Sequence, residues 1–213
     1  MNLFTVFDPC TGLFSLNWLS SLVFFFFFPF SYWFLGGSLT LLLSRLLLFF
    51  FVEISMLTKY LNTILFFLGL FIYVLLINMV GLIPYVFTSS SHLVFSLCMS
   101  FPLWVCMMFF GWFMNLNSMF IHLVPLGTPY VLMSFMVLIE TVSNLIRPFS
   151  LAVRLSANMI AGHLLMSLLG GSSGFLTLIF FFVYVSIFLF ELAVSFIQSY
   201  VFMTLSVLYS SEV

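Results

Sequence analysis

The chain has 213 residues, 65% of them apolar and only 4% charged, with a formal net charge of −1. Soluble domains carry roughly 25% charged residues, so this composition cannot cover a water-facing surface, and it predicts an all-α integral membrane protein. The charge balance also excludes the basic footprint of a nucleic-acid binder.

The N-terminus, MNLFTVFDP, carries an acid at Asp8 and no basic run, so it resembles neither a secretory signal nor an Arg-rich transit peptide. Such a chain is expected to be made inside the organelle that uses it, or inserted during synthesis in a bacterium. Residues 13–35 form the first apolar run, long enough for a ~30 Å bilayer core, with Pro29 as a kink. Gly36 and Gly37 break it. Residues 38–58 are apolar but interrupted by Arg45 and Glu53, with Lys59 just beyond, and predict a helix lying on the membrane surface. The positive-inside rule puts Arg45 and Lys59 on the side of synthesis. Residues 60–86 form the next span, ending at Gly81 and Pro84, and 92–113 the one after it, with Pro102 inside. Residues 115–129, rich in Asn, Pro and Gly, read as a connection. Residues 130–169 are one helical pattern around Pro148, and 175–209 another, joined by the GGSSG turn at 170–174. At 1.5 Å per residue the first of these would run ~60 Å, about twice the hydrocarbon thickness. The expected plan is one membrane domain over 1–213, with about five crossings, one interfacial helix and a strongly tilted C-terminal hairpin. Cys10, Cys98 and Cys106 show no CxxC spacing, and His92, His122 and His163 lie far apart. No metal or cofactor site is expected.

Chemistry concentrates in residues 140–165, ETVSNLIRPFSLAVRLSANMIAGHLL. Ionisable groups at membrane depth cost about 2.5–3.5 kcal/mol each on insertion scales, so they mark an ion or substrate path. Glu140, Arg147 and Arg154 recur every seven residues and share one helix face, drifting ~20° per heptad. Asn158, four residues on, extends that stripe, whereas His163 turns ~180° away from Arg154. On the last helix Glu191, Ser195 and Gln198 share a face. Arg cannot release its proton, so Arg154 can only attract a carboxylate or repel cations. Glu140, His163 and Glu191 can relay protons. The residues thus offer relay groups separated by a fixed positive barrier. Ser150, Ala152, Ala157, Ala161 and Gly162 near that barrier would let another helix come close. Other uses stay open: Glu140, Arg147 and Glu191 could simply pair to hold helices together, and Gln198 could be a plain interhelical hydrogen-bonding residue. A secondary transporter would need a paired internal repeat with broken helices, which the chain lacks; a structural subunit of a respiratory membrane complex is the other alternative.

The segments LAVRLSANMIAGHLL and ELAVSFIQSYVFMTLSVLY, with NMVGLIPYVFT, FPLWV and LIETVSNLIRP, resemble subunit a of the F-type ATP synthase, most of all its animal mitochondrial form. The resemblance covers about 60–209, the first sixty residues matching only in plan. It implies a multi-pass protein of the mitochondrial inner membrane that performs no bond chemistry itself. As implied partners it brings a rotating ring of c subunits, the peripheral stalk and other membrane-sector subunits, lipid and protons. By it, Arg154 faces the ring carboxylates with Asn158 beside it and Gln198 opposite. His163 and Glu191 belong to one half-channel and Glu140 to the other; Arg147 and Ser195 are accessory. Counting from Ser172, helix geometry sets His163 and Glu191 ~15 Å apart in depth, joined through water.

Overall fold

The computed structural model describes residues 7–10, 16–22, 37–58, 61–83, 86–124, 129–171 and 177–212, and every regular element among them is helical. A 3₁₀ helix covers Leu16–Leu22. Helix α1 (Ser38–Leu57) follows Gly37 in extended conformation and stops at Thr58, whose amide donates to the Ile54 carbonyl at 2.9 Å. Helix α2 (Leu61–Gly81) closes in a tight turn, the Leu82 and Ile83 amides donating to the Met79 and Val80 carbonyls at 3.2 and 3.1 Å. A 3₁₀ turn at Ser89–Ser91 leads into α3 (Leu93–Met114), which carries Pro102, and then into the short α4 (Leu116–His122). Residues 115–129, expected as a connection, thus contain two turns of helix. A 3₁₀ turn, Tyr130–Leu132, starts α5 (Met133–Gly171), and α6 spans Thr177–Glu212.

Among the described residues, five helical stretches are long and apolar enough to cross a membrane: Thr40–Leu57, Leu61–Gly81, Leu93–Met114, Met133–Gly171 and Phe181–Ser211. The chain is an all-α membrane protein, as its composition demands. Most of the first predicted span, residues 13–15 and 23–35, lies outside the described residues, as does most of the GGSSG turn. The helix expected on the membrane surface, α1, is itself of spanning length and apolarity. Helix α5 has 39 residues and α6 has 36, about 58 and 54 Å at 1.5 Å per residue. Pro148, expected as a bend, lies buried inside α5, which continues through it.

Helix α2 is the central post. Its own chain buries 56% of its spanning window, against 11–17% for the other four. Ile64, Phe67, Leu68 and Phe71 of α2 pack with Phe50 and Ile54 of α1 and with Met203 and Val207 of α6. Leu70 and Val74 pack on Leu151 and Leu155 of α5 and on Phe202 of α6. Lipid is as apolar as Leu, so burial alone does not drive these helices together; close packing and hydrogen bonds do. Buried serines serve that end. Ser156, Ser195, Ser199 and Ser206 return their hydroxyls to carbonyls three or four residues earlier and leave only a small side chain at the seam. Phe49, Phe66, Phe109 and Phe113, by contrast, are exposed, as lipid-facing side chains are.

Candidate functional site: a polar seam between two long helices

Helix α5 sorts its residues onto two faces. Leu151, Ala152, Leu155, Ser156, Met159 and Gly162 are buried against the rest of the chain. Ser150, Arg154, Ala157 and Ala161 are exposed on the other side. The five small residues expected around Arg154 are therefore divided. Ser150, Ala157 and Ala161 flank it on an open face, while Ala152 and Gly162 admit helices of this same chain. Arg154 has no ion-pair or hydrogen-bond partner among the described residues.

The three charges predicted on one stripe also separate. Arg147 pairs with Glu140 at 3.7 Å, and its guanidinium stands 5.0 Å over the Tyr209 ring of α6. The pair borders a cavity of ≈ 570 Å³ lined also by Trp104, Trp112 and Asn144. Arg154, two turns further on, lies outside this arrangement. Beside it Asn158 donates through Nδ2 to Gln198 Oε1 at 3.0 Å, which ties α5 to α6.

Glu191, Ser195 and Gln198 share one face of α6, as their spacing predicts. All three are buried, with 6%, 1% and 6% of their surface exposed. Ser195 donates to the Leu192 carbonyl and lies 3.6 Å from the Met79 sulfur of α2. Glu191 reaches α5 at Gly162, where a Cβ would collide with its carboxylate. His163, the next residue, turns its ring to the Gly81 carbonyl and edge-on to Phe7, and its Nε2 is buried without a partner among the described residues.

This contact overturns the ~15 Å of depth that straight helices counted from Ser172 place between His163 and Glu191. Glu191 stands at the level of Gly162. The cross-helix partners Gly162–Glu191, Asn158–Gln198 and Arg147–Tyr209 have midpoints in sequence between 176.5 and 178, not at 172. Two causes combine. Helix α5 continues through Gly170 and Gly171, so it does not stop where the glycines begin. The register then follows the side chains: a carboxylate crossing a tight seam needs a residue without a side chain opposite.

Two polar features were missed in the sequence. Asn78 of α2 is fully buried, and neither amide atom has a partner among the described residues. Its signal was a lone amide near the end of an apolar run. Glu53 of α1 accepts a 2.6 Å hydrogen bond from the Tyr200 hydroxyl of α6; its signal was a lone acid in a helix assigned to the surface.

The geometry therefore holds an uncovered fixed cation, an ion pair with an adjoining cavity on one side, and a buried acid beside an imidazole on the other. Residues 14–211 match a family model described as ATP synthase A chain. The ATP synthase subunit a of Anopheles gambiae is 48% identical over 222 residues, the alignment taking in 100% of this chain and 98% of that protein. The subunits a of Locusta migratoria and Drosophila melanogaster are 47% and 46% identical, with the same coverage of both chains. Carrying the polar seam on membrane-spanning helices, and matched along nearly its whole length, the chain belongs to the ATP synthase A chain family.

Proposed function

We propose that this chain is the proton-translocating stator subunit of the ATP synthase membrane sector in the mitochondrial inner membrane. It carries out no bond chemistry itself. It forms two offset half-channels against a rotating ring of c subunits, and Arg154 keeps the two apart. A proton entering past His163 and Glu191 neutralises a ring carboxylate. The neutral carboxyl travels with the ring through lipid, and on the far side it loses its proton toward Glu140. The bare carboxylate then passes Arg154, whose permanent charge attracts it and repels protons. Each charge crossing releases ~2.3 kcal/mol per 100 mV, which drives ATP synthesis elsewhere in the complex. Asn158 and Gln198 hold the two long helices together beside Arg154, while Arg147 and Ser195 are accessory. The peripheral stalk and other membrane-sector subunits hold the chain still against the ring.

One observation carries this reading: Arg154 is exposed on a face of small residues, with no partner among the described residues, between the two groups that can relay protons. A cation set there to hold this chain together would be buried against an acid of its own chain. The test is Arg154→Ala in the assembled complex. Proton-driven ATP synthesis is expected to vanish, because the other arginine of that helix, Arg147, lies two turns away and pairs with Glu140. Coupled synthesis at the normal rate overturns the assignment.

A further inference from the structure

Glu53 is a half-buried carboxylate that the proton path does not use. Its helix neighbours Phe50 and Ile54 are buried in the seam between α1, α2 and α6. Its Oε1 accepts the Tyr200 hydroxyl at 2.6 Å, and its Oε2 is covered, with no partner among the described residues. That length lies at the short end of the O–H···O range, a well-formed bond. A leucine would fill the same seam without the cost of an acid in an apolar setting, so the bond itself has work to do.

Tyr200 lies two residues past Gln198, and two residues turn a helix by ~200°. When Gln198 faces α5, Tyr200 faces α1. Helix α6 is thus held from opposite sides at one level, by Asn158 at 3.0 Å and by Glu53 at 2.6 Å. Phe50 of α1 supports the second grip, packing on Tyr200 and Phe196 with ring centroids 5.9 and 6.4 Å away. Any rotation of α6 that loosened one bond would strain the other. We propose that Glu53 is a positioning residue: through Tyr200 it fixes the rotation of α6 and so keeps Gln198 on Asn158, beside Arg154. The proposal rests on reading that site as the proton path.

The test uses the assembled complex in inner-membrane vesicles carrying Glu53→Leu, Glu53→Gln or Tyr200→Phe. Glu53→Leu and Tyr200→Phe are each expected to lower proton-driven synthesis up to about tenfold, the upper scale of one hydrogen bond. The amount of chain in the complex should not change. Glu53→Gln, whose amide oxygen still accepts from Tyr200, should recover most of the rate. A disulfide between cysteines placed at 158 and 198 should form more slowly with Glu53→Leu than with Glu53→Gln. If Glu53→Leu fails to assemble, Tyr200→Phe, which removes one hydroxyl, decides alone. Equal loss in Glu53→Gln and Glu53→Leu overturns the proposal, because charge and not position would then matter. So does normal synthesis in Tyr200→Phe. Normal synthesis in Glu53→Leu beside an inactive Arg154→Ala removes the positioning role alone. Normal synthesis in Arg154→Ala removes the proton path and this proposal with it.

Discussion

At position 162 one methyl group decides whether the acid opposite can stay. The Glu191 carboxylate occupies the space that a Cβ on Gly162 would take. Gly162→Ala should therefore push Glu191 out of the seam and lower proton-driven synthesis at least as much as losing a hydrogen bond would, about tenfold. Passive proton flux should stay low, since Arg154 is untouched. The same logic covers the two residues proposed as relays: Glu191→Gln and His163→Ala should slow coupled synthesis without opening a leak, measured as passive flux in de-energised vesicles. A large leak in either would put that residue in the barrier. That Arg154, Glu140, Asn158, His163, Glu191 and Gln198 stand out as candidates was legible, because a polar group inside an apolar helix announces its cost. What each one touches was not. The partner of Glu53 lies 147 residues away, and the role of Gly162 depends on a register that no local pattern encodes.

Among the elements, α5 and α6 are each nearly twice as long as a bilayer core is thick. Upright, they would leave apolar turns in water, so in the assembled complex both should stand well beyond the ~20° average tilt of membrane helices. A structure of the complex with either helix within that average contradicts this. The lengths were legible to within a few residues, because long apolar runs mark them. The pairing level was not, because α5 continues through Gly170 and Gly171 and side-chain fit sets the match. Phe202 tests that fit. It is 2% exposed in the cluster joining α2, α5 and α6. Since lipid offers no hydrophobic drive toward association, its contribution is contact and filled space. Phe202→Ala should cost about 2 kcal/mol, the cavity part alone at roughly 24 cal/mol per Å³ of emptied space, read as a lower temperature at which the solubilised complex loses this subunit.

For the molecule as a whole, the α2 post and the small seams show why so much apolar surface remains outside. Composition made the membrane setting and the all-α class legible; whether α1 crosses or lies on the surface was not, since a helix of spanning length that carries two charges fits either reading. Helix α1 turns its acid toward α6 and exposes Leu41, Leu42 and Phe49. One feature of the whole also bears on the chain's life before assembly. The Arg154 face is open in the isolated chain, and an arginine held against lipid costs about 2.5–3.5 kcal/mol on insertion scales. On the proposed placement of Arg154 against the ring, a newly made copy would bear that cost until a companion shields the charge. Its cellular abundance should accordingly follow the supply of companions rather than its own rate of synthesis, with the guanidinium acting as a mark of orphanhood that membrane proteases can find.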